Sequence, residues 1–174
     1  MTGPRELPRI VTDRKGARLT LRHIRPDDWQ ALQRGYDMYS DRQKRLRMLD
    51  TVPHLTDEMA KAFATIRDPE HEFCLILTPE EDDGDMLGGA RLMGAPGRDD
   101  AEFSVSIRAD QQGRGLGRLA LGAALEEGRA RGLTRVWGII ARRNQAMLAL
   151  ARTLGFEIRP DADDLSLLIA ERSI

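Results

Sequence analysis

Apolar and polar side chains alternate strictly along residues 101–107, which read Ala-Glu-Phe-Ser-Val-Ser-Ile. Because successive side chains of a β-strand point to opposite faces, this alternation predicts a strand with one apolar and one polar face. The apolar face carries Phe103, Val105 and Ile107, and the polar face carries Glu102, Ser104 and Ser106. A strand of this kind packs on a core with one face only.

The period of the apolar positions changes to that of a helix after residue 115. Apolar side chains recur at the spacing i, i+3, i+4, i+7 and i+8, at Leu116, Leu119, Ala120, Ala123 and Ala124. This stripe predicts an amphipathic helix that packs one side on the sheet and ends near Gly132.

The rest of the chain shows the same two kinds of pattern. It predicts further strands near residues 18–24, 71–78, 86–93, 135–140, 156–159 and 165–170, and further helices near 25–36, 40–49, 56–65 and 144–154. This order predicts an α+β fold with a largely antiparallel sheet covered by helices. Residues 1–16 show no period, so we expect a poorly ordered leader before a single domain at 17–174.

The composition narrows the classes of function. Charged residues make up 32% of the chain but nearly cancel to a net charge of -1, so no basic field predicts a nucleic-acid partner. The apolar runs are far shorter than the roughly 20 residues of a membrane-spanning helix, and the first ten residues lack a signal-peptide core. We therefore expect a soluble, cytoplasmic protein with neither a membrane nor a nucleic acid as partner.

Cysteine and histidine give no sign of redox or metal chemistry. The single cysteine, Cys74, lies in an apolar run, which predicts a buried thiol and excludes an internal disulfide. The three histidines, His23, His54 and His71, have no paired spacing to each other or to Cys74, so we predict no metal site.

The most informative segment is the glycine-rich turn at residues 112–117, between the alternating strand and the amphipathic helix. Its three glycines let the backbone approach a ligand, and the free N–H groups of the first helical turn attract an anion such as a pyrophosphate. Arg114 and Arg118 are candidates for hydrogen bonds to phosphate oxygens. A dinucleotide fingerprint would need glycine at 118, and no Gly-Lys-Ser/Thr follows for a P-loop. The alternative is a structural turn that only allows close packing.

This turn and the last predicted helix carry a resemblance to a known family. Residues 112–117 resemble the Gln/Arg-x-x-Gly-x-Gly/Ala motif of the GNAT acyltransferases, and Asn144 with Leu-Gly-Phe at 154–156 is similar to their second motif. From about residue 17 to the end, the chain most resembles the acetyltransferase domain of Pat-type bacterial protein lysine acetyltransferases. The segments that carry this likeness are 21–28, 101–103, 112–118 and 147–156.

The resemblance implies the GNAT fold, with about six or seven strands flanked by four or five helices. It also implies acetyl-CoA as co-substrate, no metal, and direct transfer of the acetyl group to an amine in a ternary complex. It assigns the cofactor to Ile107, Arg108, Ala109, Gln112, Gly113, Arg114, Gly115, Leu116, Gly117, Arg118 and Asn144. A plain helix cap is an equally good reason for Asn144.

The catalytic roles come from the same resemblance. A lysine amine is mostly protonated at neutral pH, since its unperturbed pKa is about 10.4, and a base must remove a proton before it attacks. Glu102 corresponds to the strand glutamate that acts as base in Pat-like enzymes, directly or through a water. The alternative is a solvated or arginine-paired glutamate. The oxyanion is expected to accept a hydrogen bond from a backbone N–H at or near Ile107.

One position departs from the wider superfamily. The tyrosine that usually protonates the CoA thiolate would fall at residue 151, which is alanine here, as it is in the Pat-type enzymes. The only tyrosines, Tyr36 and Tyr39, lie on a helical stripe and are predicted to pack there rather than to line the acceptor side.

The resemblance favours a protein lysine as acceptor, with an acyl-CoA synthetase as one such partner. A small-molecule amine acetyltransferase shares the same cofactor site and is the nearest alternative. A non-catalytic domain that senses acyl-CoA is a third interpretation, and Ala151 is the feature that supports it.

Overall fold

The computed structural model describes residues 6–42, 44 and 54–174. The strands in this part of the chain are β1 (Arg9–Thr12), β2 (Arg18–His23), β3 (Glu72–Pro79), β4 (Gly88–Gly94), β5 (Asp100–Ile107), β6 (Arg135–Ala141), β7 (Glu157–Pro160) and β8 (Leu167–Ser173). The helices are α1 (Trp29–Asp37), α2 (Asp57–Ala64), α3 (Leu116–Ala130) and α4 (Gln145–Thr153). Within the described ranges, every helix is too short or too polar to cross a membrane.

The strands of the described residues form one sheet, in the order β1-β2-β3-β4-β5-β6-β8-β7. Neighbouring strands run antiparallel except for β5 and β6, which are parallel. The predicted α+β class and the largely antiparallel sheet are confirmed, with one strand more than expected.

The additional strand is β1, which lies in the segment predicted to be a poorly ordered leader. It pairs antiparallel with β2, with Ile10 opposite Thr20, and Val11 packs against the core. The prediction of a leader is therefore wrong for Arg9–Thr12. An edge strand of four residues is stabilised by its partner strand, and a local pattern does not show this. The helix predicted near 40–49 falls mostly outside the described residues.

The main core lies between the sheet and α3, and it contains the apolar face predicted for β5. Ala120, Leu121 and Ala124 of α3 are fully buried against β3, β4 and β5. Phe103 of β5 packs on Phe156, with the ring centroids 4.9 Å apart. Each fully buried leucine or phenylalanine stabilises the fold by about 1.5–3 kcal/mol relative to an exposed one, so this layer fixes α3 on the sheet.

Helices α1 and α2 pack on the opposite face of the sheet. Ile24, Cys74 and Ile76 form a second apolar cluster there, together with Ala64 of α2 and Trp29 of α1. The predicted burial of the Cys74 thiol is confirmed. Because the apolar face of β5 belongs to the main core, its polar face lies on the α1 side of the sheet.

Strands β5 and β6 pair over a short stretch and then separate. Residues 100–102 pair with residues 135–137, and the ladder ends there although both strands continue. The buried Asp100 accepts hydrogen bonds from Arg98 and Arg135, which hold the pKa of its carboxyl well below the usual range. This ion pair fixes the two strands at the base of the gap, and the candidate site lies where they separate.

Candidate functional site

A cavity of about 530 Å³ opens where β5 and β6 separate. The end of β5, the glycine-rich turn and residues of α3 and α4 form its walls. Its lining includes Arg14, Tyr39, Ile107, Gly115, Arg118 and Asn144. The walls thus combine strand backbone, apolar side chains and two arginines, which suits a long ligand with an anionic part.

Two residues of the glycine-rich turn adopt backbone conformations that favour glycine. Gly113 and Gly115 have φ angles of +78° and +81°, in the left-handed region where other residues are strained. Gly115 directly precedes α3, and its carbonyl accepts the hydrogen bond of the Leu119 N–H at 3.2 Å. The N–H groups before Leu119 have no acceptor within the helix, and together with the helix dipole they form an anion site at the cavity.

The third glycine of the turn is needed for a different reason. Gly117 lies in the first turn of α3, and a Cβ atom there would lie 3.0 Å from Cδ2 of Leu150 on α4. The same atom would lie 3.8 Å from side-chain carbons of Val105 and Ile107 on β5. A side chain at position 117 would therefore intrude on the space between β5 and α4, and glycine keeps it open.

The backbone of β5 presents a hydrogen-bond donor to the gap. The Arg108 N–H donates to the Leu87 carbonyl at 2.9 Å, in the direction of β4. Because bonding directions alternate along an antiparallel strand, the N–H of Ile107 points the other way, into the gap. The Tyr39 hydroxyl donates to the Ile107 carbonyl and lies 3.1 Å from Ser106 Oγ. The N–H predicted to bind an oxyanion therefore faces the cavity.

The predicted arginines differ in what they contact. Arg114 donates from Nε to Asp13 Oδ2 at 2.5 Å, and its side chain does not line the cavity. The side chain of Arg108 is also turned aside, by ion pairs of 2.6 and 2.7 Å with two nearby aspartates. Arg118 does line the cavity, and its guanidinium forms no ion pair with any residue that the structure describes.

Most residues that were assigned to a cofactor line the cavity: Ile107, Gln112, Gly113, Gly115, Leu116, Gly117, Arg118 and Asn144. Arg108, Ala109 and Arg114 do not. Asn144 also caps α4, because its Oδ1 accepts a hydrogen bond from the Met147 N–H at 3.2 Å. This bond leaves the side-chain NH2 group to donate to a ligand, so a cap and a ligand contact are compatible.

Glu102 lies outside the cavity lining, on the polar face of β5. It is half-buried, and its carboxylate forms no ion pair or hydrogen bond within the described part of the chain. At about 3.3 Å per residue, the five residues to Ile107 span roughly 16 Å along the strand. The structure therefore does not place the carboxylate beside the Ile107 N–H, and Ser104 and Ser106 lie on the polar face between them.

Apolar side chains surround Glu102 on the same face of the sheet. Met93 of β4 and Trp137 of β6 are its direct neighbours in the two ladders. Met93 is 36% exposed and Ile139, two residues beyond Trp137, is 40% exposed. Met93, Trp137 and Ile139, here called the apolar patch, thus flank an unpaired carboxylate on one face of the sheet.

The cavity residues that the sequence does not indicate include Arg14 and Tyr39, which lie far from the glycine-rich turn along the chain. Arg14 belongs to the supposed leader and reaches the cavity through the hairpin of β1 and β2. The prediction of packing holds for Tyr36, which is 3% exposed, whereas the Tyr39 hydroxyl extends to β5. No local pattern reports either contact, because both depend on strands far away in the sequence.

Three comparisons with known proteins bear on this site. The model of the acetyltransferase (GNAT) domain family matches residues 18–157. The GNAT domain of Pat from S. lividans superposes with a TM-score of 0.84 at 23% identity, covering 95% of this chain and 96% of that one. RimL, a ribosomal L7/L12 α-N-protein acetyltransferase solved with coenzyme A, superposes with a TM-score of 0.72 at 18% identity, covering 97% and 98%. At such identities the two structures establish a shared fold and nothing beyond it.

Similarity in sequence to curated relatives covers a shorter stretch. The L-methionine sulfoximine/L-methionine sulfone acetyltransferase of Pseudomonas aeruginosa is 46% identical over 61 residues. That stretch is 35% of this chain and 36% of the relative, so the match spans little more than a third of either protein.

Proposed function

Because the chain belongs to the GNAT acetyltransferases, we propose that it binds acetyl-CoA between β5 and α4 and transfers the acetyl group to a primary amine. The observation that carries this proposal is the anion site at the start of α3, at a cavity walled by the free part of β5. The pyrophosphate of acetyl-CoA suits the anion site. The extended pantetheine arm, with its two amides, suits the free part of β5 because it can pair with a strand edge.

Each wall of the cavity has a role in holding the cofactor. The pyrophosphate accepts hydrogen bonds from the backbone N–H groups of the turn at 112–117 and from the Arg118 guanidinium. The pantetheine arm lies beside β5 beyond residue 102, where β6 no longer pairs with it. Asn144 donates its NH2 group from α4 on the far side.

The reaction is a direct attack of a neutral amine on the thioester carbon. Glu102 takes the first proton from the ammonium group through water along Ser104 and Ser106, since it is too far from Ile107 for direct transfer. Attack forms a C–N bond and an oxyanion that accepts a hydrogen bond from the Ile107 N–H. The C–S bond then breaks, the second proton on nitrogen passes through water to the CoA thiolate, and the third stays on the nitrogen of the amide product. Ala151 provides no acid, and the thiolate leaves without one because the ordinary pKa of its thiol is only about 8.5.

We propose a protein lysine as the acceptor. The apolar patch supports this choice, because exposed apolar side chains beside the base provide a surface on which a polypeptide can dock. A polypeptide docked on the patch can extend along the polar face of β5 toward Ile107, where the long stem of one of its lysines carries the amine to the thioester.

A small amine is the second candidate, and the similarity in sequence favours it. The Pseudomonas relatives are described as acting on L-methionine sulfoximine and L-methionine sulfone, which are amino acids with a free α-amine. On this alternative the acceptor enters the same gap but needs no docking surface outside it.

The two acceptors are separated by kcat/KM values for intact proteins, lysine peptides and L-methionine sulfoximine at saturating acetyl-CoA. For a protein acceptor, Ile139→Ser is expected to lower kcat/KM about fivefold to tenfold, the effect of losing a contact of about 1 to 1.4 kcal/mol near the centre of an interface. The affinity of the Ile139→Ser variant for acetyl-CoA is expected to stay unchanged. Ile10→Ser is the matched control, because Ile10 is equally exposed but lies on β1 at the sheet edge.

Faster turnover of L-methionine sulfoximine than of every lysine substrate, with no effect of Ile139→Ser, contradicts the protein acceptor and supports the small amine. If acetyl-CoA binds but no amine is acetylated, the enzymatic proposal fails and the sensor interpretation takes its place.

A further inference from the structure

The hairpin turn between β1 and β2 docks directly on the glycine-rich turn. The Arg14 N–H donates to the Arg114 carbonyl at 3.1 Å, and the Arg114 Nε donates to Asp13 Oδ2 at 2.5 Å. The other oxygen of the buried Asp13 accepts the N–H groups of Lys15 and Ala17 at 2.8 and 2.9 Å. Asp13 thus closes the hairpin with one oxygen and ties it to the glycine-rich turn with the other.

This docking carries the Arg14 side chain over the start of α3. A Cβ atom on Gly115 would lie 3.0 Å from both Cγ and Nε of Arg14 and 3.1 Å from its Cδ. Arg14 is exposed and lines the same cavity as the turn. Its guanidinium forms no ion pair or hydrogen bond with any residue in the described ranges. An unpaired cation therefore lies at the anion site of the α3 N-terminus.

The two neighbouring arginines differ in whether a carboxylate pairs with them. Asp13 forms an ion pair with Arg114 and fixes its guanidinium outside the cavity. The Arg14 guanidinium has no such carboxylate partner in the described ranges, and the Arg14 backbone is held on both sides, by its own N–H and by the Asp13 carboxylate. A fixed backbone reduces the entropy that the arginine loses when it binds an anion.

We infer that Arg14 is a further cofactor-binding residue, whose guanidinium binds a phosphate group of acetyl-CoA. The Asp13–Arg114 pair is a positioning device that holds the hairpin against the turn. This inference rests on the proposed function, because it assumes that acetyl-CoA occupies the cavity. The phosphate is either the pyrophosphate or the ribose 3′-phosphate, and a guanidinium binds both by paired N–H donors.

The inference is tested by calorimetric titration of the full chain with acetyl-CoA. Arg14→Ala is expected to raise Kd about 10- to 100-fold, since it removes charge-assisted hydrogen bonds to a phosphate. Arg14→Lys is expected to recover part of the loss, and kcat at saturating acetyl-CoA stays near that of the wild type while KM rises. Lys15→Ala is the matched control, because Lys15 is the next residue of the turn and is also exposed.

Two cofactor analogues identify the phosphate. Acetyl-pantetheine has neither group, so Arg14→Ala is expected to leave its binding unchanged. The second analogue is 3′-dephospho-acetyl-CoA. If Arg14→Ala weakens its binding as much as it weakens binding of acetyl-CoA, Arg14 binds the pyrophosphate. If Arg14→Ala leaves its binding unchanged, Arg14 binds the 3′-phosphate. Raising the salt concentration weakens wild-type binding more steeply than that of Arg14→Ala, because the variant lacks one charge contact.

The inference is overturned if folded Arg14→Ala binds acetyl-CoA with the wild-type Kd. It is also overturned if the substitution weakens binding of acetyl-pantetheine as much as binding of acetyl-CoA. Either result leaves the proposed function intact. Absence of binding by the wild type instead overturns the proposed function itself. Circular dichroism melting verifies that the variants are folded, and Arg14→Gln, which keeps most of the side-chain length, repeats the test if Arg14→Ala unfolds.

Discussion

Replacing Gly115 by glutamate is expected to abolish detectable binding of acetyl-CoA, with Kd raised about 100-fold or more. The φ angle of +81° strains any other residue, and the new Cβ would meet Arg14 at 3.0 Å. The carboxylate would also occupy the anion site at the start of α3 and repel the phosphates. Calorimetric titration with acetyl-CoA measures the effect.

Gly132→Glu is the matched control for this substitution. Gly132 has a φ of +91°, and a Cβ atom there would meet nothing within 4 Å. It follows the C-terminal end of α3, outside the cavity lining. Gly132→Glu therefore introduces the same side chain with a similar backbone strain, but at a position away from the ligand site. Wild-type affinity in a folded Gly115→Glu variant would mean that the glycine-rich turn is structural and that the cofactor lies elsewhere.

Glu102→Gln is expected to lower kcat by about 10²- to 10⁴-fold, the usual contribution of a general base. Glutamine has nearly the same shape but does not accept the proton, so Kd for acetyl-CoA stays at the wild-type value. The rate difference is expected to narrow as pH rises toward the ordinary lysine pKa of about 10.4, because more of the amine is then already neutral. A pH profile of kcat for both proteins measures this.

Glu157→Gln controls for the removal of a strand carboxylate, since Glu157 is exposed on β7 at the other edge of the sheet. A Glu102→Gln rate within about threefold of the wild type at neutral pH would show that Glu102 is not the base, given the size of such contributions. A rate difference that persists unchanged at high pH would assign Glu102 to acceptor binding.

The elements around the site are predictable because their signals are local. The alternation at 101–107 gives β5 with its buried Phe103, and the stripe from Leu116 gives α3, whose side chains form the core as expected. β1 is missed because four residues carry too little pattern, and its pairing with β2 supplies its stability.

The site itself is most predictable where backbone chemistry determines it. The turn at 112–117 is identified from glycine spacing, and the structure places it at the cavity. The arginines are different, because a side chain binds whichever partner the fold brings near. Arg114 is in the right motif but pairs with Asp13, about a hundred residues earlier in the chain, while Arg14 reaches the cavity from a segment with no motif.

The most direct test of the cofactor site is an NMR titration of the ¹⁵N-labelled protein with acetyl-CoA, following every backbone amide. The proposal predicts that the largest shifts fall at residues 105–107, 112–118 and 144–150, and that amides around Arg14 move with them. Shifts centred on another surface, such as the charged pocket of Arg22 and Arg34 beside α1, would contradict it. So would unchanged spectra at millimolar acetyl-CoA.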